Sequence, residues 1–110
     1  MTAMVVGIAR IVLGIPGAQS LKDKRSVVRR VIDRTRAKFN AAIAEVGDND
    51  VHRRAVIGVS VVSNDRRHVN EMLDTILAFV SDASAALVLD RSIEIETYDD
   101  HFGLGAASDG

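Results

Sequence analysis

The sequence contains no cysteine and no tryptophan, a single proline, and only three Phe and one Tyr in 110 residues. Without cysteine there is no disulfide framework, no thiolate nucleophile and no cysteine-ligated zinc, and a reducing compartment is the natural setting. The aromatic shortage removes the stacked-base platforms on which many RNA-binding sheets depend. No apolar run approaches the roughly 18 residues of a membrane span. The apolar start, residues 1–13, lacks the basic leader of a secretory signal and contains Gly7 and Arg10, so a cytoplasmic location with no membrane partner is expected. Gly7, Gly14 and Gly17 form neither a dinucleotide-binding fingerprint nor a P-loop. Serine has no ordered His and acid to complete a triad. These absences predict a protein without catalytic residues, cofactor or metal.

Charge is present in balanced total but in polarised order. The formal net charge is -1, yet residues 22–38 carry Lys22, Lys24, Arg25, Arg29, Arg30, Arg34, Arg36 and Lys38 against Asp23 and Asp33. Residues 68–110 carry nine acids against Arg91 alone. A partner senses this local field rather than the sum.

Val5 to Leu13 is a β-branched, nearly continuous apolar run and reads as a strand. Gly14-Ile15-Pro16-Gly17 breaks it. Ser20 is a good N-cap, with Asp23 as the capping-box acid near the positive end of the helix dipole. From Leu21 to Lys38 the period becomes helical, with Leu21, Val28, Val31, Ile32, Thr35 and Phe39 within one arc and Lys22, Arg25, Arg29, Arg30, Arg34 and Arg36 on the remainder. Phe39 to Val46 reads as a second strand, Gly47-Asp48-Asn49-Asp50 as a turn, and Arg54 to Val62 as a third strand. Ser63, Asn64 and Asp65 offer N-caps for a second helix whose stripe Val69, Met72, Leu73, Ile76, Leu77, Val80 carries it to about Val80. A fourth strand lies between Leu89 and Tyr98, where Ile93, Ile95 and Thr97 alternate with Glu94 and Glu96.

This order, β-α-β-β-α-β with one short β-β link, predicts an α+β ferredoxin-like fold: a four-stranded antiparallel sheet with two helices on one face. Residues 1–100 form the single domain, and residues 101–110 read as a flexible tail. Strands one and three are apolar on both faces, which a sheet open to water on one side should not be. A homodimer through the helix-free sheet face is therefore expected, with Arg10 needing a carboxylate such as Glu94 or Glu96 from its own or a partner chain.

Taken together, Ser20-Leu21-Lys22-Asp23-Lys24-Arg25, Phe39-Asn40, Glu45-Val46-Gly47-Asp48, Ala55 and Val61-Val62-Ser63 resemble the YlxP-like family, bacterial proteins of unknown function. The likeness runs in order from about residue 4 to 98. It implies the ferredoxin-like fold independently and supplies no catalytic residues. Family genes often lie beside those for translation initiation and ribosome-binding factors, which implies an association with translation.

The candidate binding residues are Lys22, Lys24, Arg25, Arg29, Arg30 and Arg36, a row of cations suited to phosphates of ribosomal RNA or a ribosomal subunit. The competing reading is a solvated helix face paired with neighbouring acids, in a homo-oligomeric structural or regulatory protein that binds a protein partner. Glu45, Gly47, Asp48 and Arg53 are signature residues of unassigned role. Glu45 is expected to hold Arg53 or Arg54 across the hairpin, or to cap a backbone N–H. Asp48, Asp50 and His52 alternate in one turn but lack the acids, glycine and terminal glutamate of an EF-hand, so they read as a polar hairpin turn. The one enzymatic arrangement open to such a chain is a small ligand held where two sheet faces meet.

Overall fold

The β-branched first segment forms an 11-residue strand, β1 (Met4–Gly14), in the computed structural model, which describes residues 3–84 and 86–99. After it the chain runs α1 (Leu21–Lys38), β2 (Ala42–Gly47), β3 (Arg54–Ser63), α2 (Arg66–Ala83) and β4 (Leu87–Tyr98). The sheet order is β2-β3-β1-β4 with every neighbouring pair antiparallel. This is the ferredoxin-like fold. The expected tail, 101–110, lies outside the described residues.

Helix starts follow the side-chain chemistry. The Ser20 Oγ accepts the Asp23 N–H at 3.1 Å, and the Asp23 carboxylate accepts the Gln19 N–H at 3.0 Å. At α2 the cap is Asp65, which accepts the Arg67 N–H at 3.0 Å. The Ser20 and Asp65 side chains each satisfy a main-chain donor that the first helical turn leaves orphaned, while Asp23 holds the residue before the cap.

The core fills the space between sheet and helices. Val5, Ala9, Ile11 and Leu13 of β1 and Ala55, Ile57, Val59 and Val61 of β3 meet Val28 and Val31 of α1 and Val69, Leu73, Ile76, Leu77 and Val80 of α2. Gly7 lies beneath α2, where a Cβ would stand 2.8 Å from Leu73 Cδ1 and still closer to Val69 Cγ1.

Three boundaries differ from the periodicity reading. Phe39 ends α1 rather than starting a strand: its N–H donates to Thr35 O at 2.9 Å, and its ring meets Phe79 edge-to-face at 5.4 Å. β2 accordingly begins at Ala42. α2 continues to Ala83, and the Ser84 N–H closes it on Val80 O at 3.2 Å. β4 begins at Leu87, with a register shift opposite Val12/Leu13 that alternation alone does not reveal.

On the helix-free face Val12 and Val56 are buried, but Ile8, Val46 and Val62 are 48%, 60% and 59% exposed. A shallow hollow of about 690 Å³ there is lined by Ile8, Arg10, Ala42, Ala44, Val46 and Gly58, among others.

Candidate nucleic-acid interface

Lys24 is fully buried, and its ammonium closes the N-terminal end of α1 onto the β2–β3 hairpin. The Nζ donates to the carbonyls of Asp48 at 2.7 Å, Asn49 at 3.1 Å and Arg54 at 3.4 Å. Glu45 Oε2, 2.9 Å away, pairs with the same ammonium, and it is buried with no other donor among the described residues. Two expectations are corrected by this geometry. Lys24 is not one of the exposed cations, because its charge is enclosed by main-chain oxygens. Glu45 holds Lys24 rather than Arg53 or Arg54.

The remaining signature residues support the same corner. Asp48 adopts φ 57°, a left-handed conformation that aspartate tolerates better than most side chains. Its carbonyl accepts the Val51 N–H at 3.0 Å as well as Lys24, while its carboxylate takes Arg54 Nε at 2.8 Å. Gly47 follows a register shift in β2, and a Cβ there would press on Val56 at 3.3 Å. Arg53 ties the β1–α1 connection to the hairpin: its carbonyl accepts the Ile15 N–H at 2.8 Å, and its Nε donates to Ala18 O at 3.4 Å. Among the described residues no group of three His, Asp or Glu side chains is placed to hold a metal ion.

Lys22, Arg25, Arg29, Arg30 and Arg36 are all exposed on α1. Lys22, Arg25, Arg29, Arg30 and Arg34 line one shallow hollow along the helix, with Asp33 its only acid. None of these cations is within salt-bridge distance of an acid among the described residues. Glu71, an acid of the neighbouring helix, pairs instead with Arg67 of its own helix at 3.3 Å. At the far end of α1, Lys38 and Arg34 sit over the Phe79 ring at 4.9 and 6.0 Å, fixing the helix against α2. Arg36 turns toward the sheet edge and donates to Ile43 O at 3.0 Å.

A second cleft, of about 420 Å³, separates α1 from β2. It is lined by Arg25, Arg29, Asp33 and Arg36 on the helix side and by Ala44 and Glu45 on the strand side, over Val28 and Ile32. Sequence reading missed this cleft, because it is made by two elements whose adjacency is tertiary. The burial of Lys24 did leave a signal. Residues 24, 28, 31 and 35 share one helical face, and the other three are Val, Val and Thr.

Fold and surface define a small ferredoxin-like α+β domain whose first helix carries a cationic outer face. The chain belongs to the family described as "Protein of unknown function (DUF503)", which matches residues 6–93. It is similar to the uncharacterized protein YlxP of Bacillus subtilis (strain 168), 37% identical over 76 residues that cover 69% of this chain and 83% of the relative. This agrees with the YlxP-like resemblance of the signature segments. Among solved structures it is similar to one named Putative Chlorite dismutase TA0507, with TM-score 0.53 and 18% identity over 94% of this chain and 47% of the other. A dimeric ferredoxin-like protein of unknown function from Thermobifida fusca aligns with TM-score 0.43 and 15% identity, over 84% of this chain and 92% of the other. At these identities the likeness to solved structures concerns the fold alone.

Proposed function

We propose that this protein is a non-enzymatic binding module that engages ribosomal RNA through Lys22, Arg25, Arg29, Arg30 and Arg36. The observation that carries the reading is the row of exposed cations on α1 that none of the described acids neutralises. Arginine dominates the row, and its planar fork suits bidentate contact with phosphate oxygens. Strands β1 and β3 offer no aromatic platform, so contact is by backbone charge and shape rather than by stacked bases. Five phosphate contacts on single-stranded RNA give a salt slope of about -3.5, a loss of roughly a hundredfold in affinity between 50 and 200 mM salt. Titration of structured RNA and isolated ribosomal subunits with the purified protein tests this. Failure to bind either at about 50 mM salt overturns the reading and favours a protein partner.

A second, compatible reading is self-association through the helix-free sheet face, favoured by the exposed Ile8, Val46 and Val62 and by the charges around them. Arg10 is exposed at the centre of that face, Glu94 lines the same recess on β4, and neither is ion-paired among the described residues. A two-fold arrangement brings Arg10 of one copy to Glu94 or Glu96 of the other. Arg36 lines the hollow on that face and lies near the proposed seam, whereas Lys22, Arg25, Arg29 and Arg30, on the outer side of α1, stay free for RNA.

A further inference from the structure

The cleft between α1 and β2 differs from the rest of the basic surface in one respect: it holds a fixed anion acceptor among its cations. The Glu45 side chain is 16% exposed, and Oε2 is fully buried against Lys24. Glu45 lines the cleft, and with Oε2 fully buried the part of its side chain that stays exposed lies elsewhere, which leaves Oε1 as the carboxylate oxygen able to meet a ligand. Its direction is fixed, because the other oxygen is anchored 2.9 Å from a buried ammonium and the residue sits within a paired strand. Around it stand Arg25 and Arg29, without ion pairs among the described residues, and Arg36, which spends Nη2 on Ile43 O. Asp33 also lines the cleft, but it is exposed on the helix surface with no buried cation to hold it.

We propose that this cleft reads the sugar of a bound nucleic acid: it seats one RNA nucleotide, with the phosphate on Arg25 and Arg29 and the 2′-hydroxyl donating to Oε1 of Glu45. The proposal rests on the RNA reading above and deepens it. A row of cations alone draws DNA and RNA alike, since both present the same phosphates. An ionised carboxylate can only accept, and it repels phosphate; the donors a nucleic acid offers it are base N–H groups, which RNA and DNA share, and the 2′-hydroxyl, which RNA alone carries. The 2′-hydroxyl is the donor that separates RNA from DNA. Against deoxyribose, Oε1 gives up water and gains no partner, which penalises DNA selectively. At about 420 Å³ the cleft falls within the range for small-molecule sites and suits one nucleotide. Lys24 is a positioning residue here, since it touches Glu45 and not the ligand.

The test is fluorescence anisotropy of the whole protein with one single-stranded RNA, the DNA of the same sequence and its 2′-O-methyl counterpart, each at several salt concentrations. RNA is expected to bind about tenfold tighter than the other two, with the same salt slope for all three, because a hydrogen bond to a charged group is worth that factor and does not depend on counterions. A double variant, Lys24→Met with Glu45→Leu, removes the acceptor and replaces the buried ion pair by apolar side chains, at the cost of leaving the Asp48, Asn49 and Arg54 carbonyls without the Lys24 donor. In it the RNA preference falls to about onefold, because RNA loses its hydrogen bond and DNA no longer strands a desolvated carboxylate oxygen, while the salt slope set by the cations stays the same. Should the double variant fail to fold, the three-ligand comparison on the natural protein decides alone. Equal affinity for all three ligands, or a preference that survives in a folded double variant, overturns the ribose reading and leaves the charge reading standing. No binding of any of the three at about 50 mM salt overturns the ribose reading, and overturns the RNA reading itself where structured RNA and ribosomal subunits also fail to bind.

Discussion

Lys24 carries its charge into the interior, where three carbonyls and one carboxylate receive it. Removing one partner of a buried pair strands the other, so Lys24→Ala should destabilise the protein by about 3–5 kcal/mol. The midpoint shift in urea denaturation measures this, and a loss below about 1 kcal/mol would show the corner to be wet. Lys24→Arg is no conservative change, because a planar fork cannot occupy three converging carbonyls in place of a compact ammonium. Gly7 poses the opposite problem, that of too little room. A side chain there presses on Val69 and Leu73 of α2, and Gly7→Val should cost about 1–3 kcal/mol by overpacking, read from the same denaturation curves. Thermal unfolding unchanged by that substitution would mean that α2 shifts freely on the sheet.

α1 works as two surfaces on one rod. Its inner side, Lys24, Val28, Val31 and Thr35, is buried, and its outer side is cationic. The Ser20 cap orients the first turn, so Ser20→Ala should cost about 1 kcal/mol, measured by thermal melting. The outer side is built against helix stability: Arg25 with Arg29, and Arg30 with Arg34, are like charges four residues apart, and such pairs destabilise a helix by about 0.2–0.5 kcal/mol each. Arg29 also has Asp33 four residues on, so the cleaner test is Arg25, whose helix neighbours Lys22 and Arg29 are both cations. Arg25→Gln should stabilise the protein by a few tenths of a kcal/mol and weaken RNA binding, lowering the salt slope by about 0.7. Stability and binding that move in opposite directions mark a surface kept for a ligand. If both fall together, Arg25 serves packing, and the phosphate contact lies elsewhere.

At the scale of the whole molecule, the proposed self-association turns on which surface of the sheet a second copy would cover. Pairing through β4 edges is disfavoured by charge. Two-fold centres from Arg91 to Glu94 set Arg91 against itself, Asp90 against Glu94 or Glu96, or Glu94 against itself, and like charges directly opposite destabilise a ladder. Face-to-face packing instead covers Ile8, Val46 and Val62 and gives Arg10 a carboxylate. Light scattering at micromolar concentration should report a dimer. Ile8→Asp should return a monomer that still binds RNA, because Lys22, Arg25, Arg29 and Arg30 lie on the outer side of α1. A monomeric natural protein, or loss of RNA binding with loss of the dimer, contradicts this arrangement.

The amino-acid sequence by itself determined the order of elements, the cap at Ser20, the apolar stripes of both helices and the ferredoxin-like topology. Periodicity, capping and turn chemistry act between residues a few positions apart, so they can be read along the chain. The exposure of Lys22, Arg25, Arg29, Arg30 and Arg36 was legible for the same reason, each falling off the buried arc. Tertiary structure alone decided the rest. The oxygens that receive Lys24 come from residues 21 to 30 positions away, and no local pattern names them. Phe39 passes for a strand residue by composition until Phe79 is beside it. The register shift in β4 depends on pairing with β1. The cleft with Glu45 exists because the crossover lays α1 along the edge strand β2: local spacing sets which face a side chain takes, and only closure of the fold sets what it meets there.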